Sequence, residues 1–252
     1  MAESPRDTPQ EVAVEKKRFW LVDVTIRLVK EKPLGTVGGS IVLVLLVVAI
    51  LADVLAPYGM NEIHLADRLS PPSTTYGLGT DNLGRDLLSR IIFGARISIY
   101  VGLGAAFLSA FTAAIIGLIS GYFGGRTDMI TQRFVDAIMC FPPLFIYLSV
   151  MALLGPGLLQ VILVLGFFRG VRQSRVARGA VIAIKENVYV EAARAIGCSG
   201  TRMIMRHILP NILAPLIILF TVSMGIAIQS EATLSFLGFG IPPPGPQLGR
   251  YA

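Results

Sequence analysis

The apolar residues of this chain arrive in blocks. Around 37–52, 97–119, 137–154, 158–168 and 208–228 the sequence carries almost no charge. A bilayer's hydrocarbon core is about 30 Å thick and takes about 20 apolar residues of helix to cross. Several of the blocks reach or approach that length, which points to an all-α, polytopic transmembrane bundle. Composition agrees: 54% of residues are hydrophobic and 15% charged, against roughly 25% charged in soluble domains. A disordered chain, a small disulfide scaffold and a typical cytosolic enzyme are excluded. Two cysteines make no disulfide framework, and Cys140 and Cys198 are expected as unpaired thiols at different depths.

The charge pattern orients the bundle. With the N-terminus inside, most of the 22 Lys and Arg residues fall on one side. They lie in the arm before the first span, at Arg126 and Arg133, and in the long segment after the fourth. Arg68, Arg85, Arg90, Arg96 and Arg250 are left outside. Such an excess marks the cytoplasmic side, so the net charge of +6 is assigned to cytoplasmic loops and not to nucleic acid. The N-terminal decapeptide is polar and the first apolar run is late and long, so no secretory signal is expected.

Along the chain, residues 1–15 read as a disordered cytoplasmic tail. Residues 16–34 read as an amphipathic helix in the inner headgroup layer, with Trp20 among its lysines. The first span is expected at 36–56 and an external loop at 57–95, irregular until Asp86–Arg96. The core at 96–252 holds spans at about 97–120, 136–154, 157–175 and 208–230. Gly102, Ala106, Ala110 and Ala114 recur every fourth residue, a small-residue stripe suited to a helix seam inside a membrane. Pro142 and Pro143 should make the start of the third span irregular.

Catalytic signatures are missing. The string Gly79 to Asp86 has the glycine spacing of a phosphate loop without its Lys-Ser/Thr pair. His64 and His207 fall on opposite sides, no metal-type Cys/His spacing occurs, and no Gly-x-Ser-x-Gly elbow appears. No cofactor, metal or enzymatic activity is expected. Asp53, Arg96, Asp136, Arg169 and Glu231 are placed near span ends, leaving the interiors free of ionisable groups. Coupled transporters commonly put such groups at the midplane, so an energy source outside this chain is expected. Two other classes, a stand-alone secondary transporter or channel and an integral-membrane enzyme, predict intramembrane charges or clustered reactive side chains.

The informative stretch is Glu191-Ala192-Ala193-Arg194-Ala195-Ile196-Gly197, followed by His207-Ile208-Leu209-Pro210-Asn211 in the cytoplasmic segment 185–207. Its small residues offer a low helix face that a groove on another protein can approach, and Gly197 can end the helix. This segment resembles the "EAA" loop of binding-protein-dependent ABC importer permeases. Glu191, Ala192, Ala193, Gly197, Leu209 and Pro210 match at the family spacing, and His207 replaces the usual Ile. The segments 79–90, Phe93–Ser98 and Glu231–Gly238 also resemble the dipeptide, oligopeptide and nickel branch.

The resemblance implies a type I ABC importer permease fold and several partners. They are a second, homologous permease subunit, two cytoplasmic ATPase subunits and an extracytoplasmic substrate-binding protein, all working at the cytoplasmic membrane. It implies that Glu191, Ala192, Ala193 and Gly197 form the ATPase docking surface. It implies peptides as cargo, with nickel or another small solute as the alternative. Members of this type carry a sixth span with the C-terminus inside. Five are present here, and Ala252 falls where the loop before the sixth is expected.

Overall fold

The computed structural model describes residues 30–241. The expected N-terminal tail, nearly all of the interfacial helix and the Pro/Gly-rich stretch from 242 onward lie outside the described residues. The chain divides into two units, Met1–Val47 and Val48–Ala252.

The described part of the first unit consists mainly of most of helix α1, Pro33–Ile50. Proline fits the first turn because its missing N–H has no helical partner there. Helix α1 is apolar throughout and, at 1.5 Å per residue, about 27 Å long, enough to cross a bilayer. The expected span to residue 56 is interrupted at Leu51. A short helix α2, Ala52–Leu55, follows and stops at Ala56, whose backbone is extended, the conformation favoured before a proline such as Pro57.

In the second unit, residues 57–86 contain one 3-10 turn at Leu65–Asp67 and are held by specific bonds. Asp81 accepts the N–H groups of Leu83 and Arg85 and ion-pairs with Arg85 and Arg90. Tyr76 donates to Asp67 at 2.9 Å, and that neighbouring carboxylate pushes the phenol up to about 12. Gly84 has φ +76°, and a Cβ there would stand 1.9 Å from the His64 carbonyl oxygen. The glycines at 79 and 84 therefore serve a tight turn, closed by a Thr80–Asp86 bridge.

Helix α3, Leu87–Phe123, starts where Asp86 accepts from the Ser89 N–H at 2.7 Å, a side-chain N-cap. It continues through helix α4, Gly125–Met139, and helix α5, Pro143–Leu154. Helix α6, Leu158–Lys185, follows the turn at 155–157. The order closes with α7 (Val188–Ala195), α8 (Gly200–Met203), a π-helical turn (Ile204–Ile208) and α9 (Leu209–Phe236). Among the described residues no strand is present.

Close approaches fix the direction of each long helix. Gly104 lies against Ile162, Gly166 against Leu108, Gly170 against Ser109 and Thr112, Gly117 against Ala177, and Gly121 against Val181. The pairs advance together, so α3 and α6 run parallel. Gly102 faces Met224 and Ile228, while Ala113 shares a cluster with Ile212 and Leu216, so α9 runs antiparallel to both.

Two parallel helices need a return path between them, and α4 with α5 provides it. The run expected as one span from 136 breaks at 140–142, with the two helices bent 87° to each other. Pro142 and Pro143 supply no N–H for a continuous ladder, and Arg172 donates to the freed Phe141 carbonyl at 2.6 Å. By length and composition three helical stretches can cross a membrane, α1, α3 and 200–236, or four with the bent pair. The tally is below the expected five because the apolar part of α6 is short before its arginines begin. The architecture is the expected helical, polytopic bundle.

Two buried clusters hold it. One gathers Val101, Tyr147, Met151, Val161, Leu165 and Leu234 around α5 and α6. The other gathers Val181, Val190, Ala193, Met203, Ile208 and Ile212 at the far end, beneath α7. Of the stripe read from the sequence, Gly102 and Ala106 are buried, while Ala110 and Ala114 are half-buried.

Candidate functional site: the helix at residues 188–195 and its surroundings

The segment that carries the Glu-Ala-Ala sequence forms α7, a short amphipathic helix. Val190 and Ala193 point inward, and both belong to the cluster with Val181, Met203 and Ile208. Their spacing of three puts them on one face. Glu191 and Ala192 are exposed on the other, as are Val188 and Ile196, the last 87% exposed. Of the four docking candidates, Glu191, Ala192 and Gly197 are thus open and Ala193 is turned into the chain's own core at 7% exposure.

Gly197 terminates the helix by a specific geometry. Its φ is +80°. The Cys198 N–H donates to the Ala193 carbonyl at 3.0 Å, and the Gly197 N–H donates to that of Arg194 at 3.0 Å. Those two bonds make a Schellman motif, with glycine at the left-handed position. A Cβ at Gly197 would meet nothing within 4 Å, so the backbone turn and not crowding requires glycine.

The chain then re-enters the bundle through the π-helical turn, where the Leu209 N–H donates to the Ile204 carbonyl. Pro210 lacks an N–H, and its ring would collide with the carbonyl four residues back in a regular α-helix. One wider turn before it relieves the collision. Asn211 donates from Nδ2 to the His207 carbonyl at 2.6 Å.

Clefts flank α7 on both sides. One is lined by Gly121, Asp128, Lys185, Glu186, Glu191 and Arg194. The other is lined by Ala193, Ile196, Gly197, Arg202, Arg206 and His207. The first is braced from behind. Asp128 of α4 pairs with Arg178 of α6 and accepts from Ser120 of α3. Gln132 donates to Ser120 at 2.9 Å, and Lys185 donates to the Tyr122 carbonyl at 2.7 Å. The surface that carries α7 is therefore tied to α3, α4 and α6, of which α3 begins beside the 57–86 loop and α6 after the 155–157 turn.

Two further features escape the sequence expectations. The Nε of Arg169, a residue expected where α6 leaves the membrane, is buried without a hydrogen bond among the described residues. The closest backbone contacts do not follow the Gly102 stripe. They occur at Gly117 and Gly121 of α3 and at Gly166 and Gly170 of α6, two Gly-x-x-x-Gly pairs whose spacing was the available signal. Among the described residues no group of His, Cys, Asp or Glu could hold a metal ion.

Comparison with known proteins adds a separate line of evidence. Residues 113–251 match the family model of the binding-protein-dependent transport system inner membrane component. Residues 20–72 match the N-terminal transmembrane domain of oligopeptide transport permease C. A Brucella suis biovar 1 protein named for a peptide transport system permease is 44% identical over 206 residues, covering 80% of this chain and 69% of its own length. The dipeptide transport system permease protein of Alkalihalophilus pseudofirmus is 36% identical over 221 residues, 88% of this chain and 73% of its own. The oligopeptide transport system permease protein of Bacillus subtilis is 34% identical over 231 residues, 92% and 76% respectively.

Proposed function

This chain belongs to the family of binding-protein-dependent transport system inner membrane components, and on that premise we propose that it is one permease subunit of an ATP-driven peptide importer. It forms half of the translocation pathway beside a second, homologous permease. Two cytoplasmic ATPase subunits dock beneath, and a binding protein delivers cargo from outside. The N-terminus is cytoplasmic, in line with the basic residues near α7. Peptides are the cargo because the relatives are named for dipeptide, oligopeptide and glutathione transport.

The observation that carries the coupling role is the exposed face of α7. Glu191, Ala192 and Gly197, with Val188 and Ile196 beside them, stand free on a helix whose other face is buried. We assign this face to the ATPase groove, and Ala193 seats the helix on the bundle. ATP binding closes the ATPase pair and moves the docked helices. That motion reaches α3, α4 and α6 through the Asp128, Arg178 and Lys185 contacts. ATP and cargo each bias the inward- and outward-facing states only by their difference in affinity for them. The Gly102, Ala106, Ala110 and Ala114 stripe serves as a bundle seam, with Gly102 taking Met224 and Ile228 of α9.

Co-purification and uptake test the proposal. Gly197→Glu should leave the protein in the membrane and strip the ATPase from it. Unchanged ATPase recovery together with unchanged transport refutes the docking assignment. Uptake by the complete system should follow di- and tripeptides and stop when ATP hydrolysis is blocked in the partner subunits. Nickel uptake without peptide uptake refutes the cargo.

A further inference from the structure

Helix α6 carries five cations, Arg169, Arg172, Arg175, Arg178 and Lys185. Four have partners: the Phe141 carbonyl, Asp136, Asp128 and the Tyr122 carbonyl in that order. The deepest, Arg169, has no hydrogen bond or ion pair among the described residues, and its Nε is buried without one. It lies three helical turns in from Leu158, about 16 Å at 1.5 Å per residue, within the stretch 157–175 expected as a span.

A cation at that depth is costly, and such groups face the interior or a water-filled path and pair there. Among the described residues none forms an ion pair with it. Helices α3, α5 and α6 contain no Asp or Glu, and the one acid of α9, Glu231, accepts from Ser235 and forms no ion pair among the described residues. One turn further along, Gln173 bridges Ser109 of α3 and Ser223 of α9 at 2.8 Å each. This polar layer holds the three long helices together one turn from the unpaired guanidinium.

We propose that Arg169 binds a carboxylate of the transported solute as it crosses the membrane. The inference rests on the peptide reading above and assigns the α-carboxylate at the C-terminus as the ligand. Every unmodified peptide carries that group whatever its side chains, so one arginine serves a broad set of cargoes. A guanidinium matches a carboxylate with two parallel N–H donors. Half-buried, it keeps an open side for an incoming ligand.

The test is equilibrium binding of a radiolabelled tripeptide and its C-terminal amide to the purified complex of both permeases with the ATPase subunits. Leaving out the binding protein keeps that protein's own selectivity from entering. Arg169→Gln should weaken binding of the free acid by about tenfold or more, the usual scale for losing a charged hydrogen bond, and leave the amide unchanged. Arg169→Lys should retain most of the acid binding. An equal loss for acid and amide overturns the proposal, and is the result expected if Arg169 instead pairs with a carboxylate of the second permease. Acid binding by Arg169→Gln equal to wild type overturns it too. Uptake by proteoliposomes with the binding protein present separates the two readings. A wild-type system that imports no peptide refutes the peptide reading and this assignment with it. Peptide import that is indifferent to Arg169→Gln, with binding also unchanged, refutes this assignment alone.

Discussion

Asp128 of α4 accepts from both Nε and Nη2 of Arg178 on α6, the Nε bond measuring 2.6 Å. The two residues are far apart in sequence, and their pairing closes the bend between α3 and the return helix. Because Ser120 of α3 also donates to the same carboxylate, one aspartate joins three helices at the end of the bundle that carries α7. In the proposed mechanism this joint transmits force from the docked ATPase.

Arg178→Met should lower stability by about 1–2 kcal/mol, between the values for an exposed and a fully buried pair, since both side chains are partly open to solvent. Thermal denaturation of the purified complex measures it. The double variant Asp128→Arg with Arg178→Asp should recover part of the loss, and no recovery would mean that packing and not charge makes the joint.

The α3–α6 seam predicts a sharp contrast between two glycines. A Cβ at Gly170 would lie 2.6 Å from Thr112 Cβ and 2.7 Å from the Ser109 carbonyl oxygen, whereas at Gly94 nothing lies within 4 Å. Gly170→Ala should force the helices apart and cost about 1–3 kcal/mol, the range for overpacking. Gly94→Ala should be neutral or stabilising by up to about 1 kcal/mol, because glycine is a poor helix former. Denaturation midpoints of the two variants, compared side by side, decide it.

That seam also shows what the sequence allowed to be read. Apolar block length was enough for an all-helical membrane bundle, since no other signal overrides about 20 uncharged residues. The return of regular structure at Asp86–Arg96 was legible as the end of the polar stretch, while the cap that starts the helix there, Asp86 accepting from the Ser89 N–H, belongs to the structure. The choice between two small-residue stripes was not legible. Gly102–Ala114 and Gly117–Gly121 both satisfy a four-residue spacing, and only the long-range register decides that Gly102 faces α9 while Gly117 and Gly121 press against Ala177 and Val181 of α6. The burial of the Arg169 Nε was not legible for a related reason: it depends on how α6 packs against its neighbours and not on where its apolar stretch ends. At α7, the spacing identified the helix and its end, but not which of Glu191, Ala192 and Ala193 would turn inward. That depended on where Val190 found its cluster.

Gly197 should tolerate only residues that accept a left-handed backbone. An alanine there pays roughly 1–2 kcal/mol for a positive φ, with no steric clash to add to it. Asparagine adopts this conformation more readily and should cost less than alanine, and valine should cost most. If the turn positions α7 for docking, ATPase recovery with the purified chain should fall in the order Gly, Asn, Ala, Val. An order that instead follows side-chain volume would place a partner surface directly against residue 197.

Acid should open the 57–86 loop before it disturbs the bundle. Burial alone would raise the Asp81 carboxyl, but the N–H groups of Arg85 and Leu83 and the Arg85 guanidinium outweigh it and hold it below its ordinary value. With the folded value depressed, the carboxylate contributes its full stability above the unfolded value of about 3.9. That contribution is lost as pH falls through the folded value. Hydrogen exchange at residues 79–87, corrected for the intrinsic pH dependence, should therefore accelerate below about pH 4, while exchange in α3 and α6 stays slow. Asp81→Asn should exchange faster at neutral pH and show little further change in acid, because it keeps an acceptor for the Leu83 and Arg85 amides but has no charge for Arg85 and Arg90. Wild-type exchange that is flat across the same range would mean that the glycine turn, and not the Asp81 ion pairs, holds the loop closed.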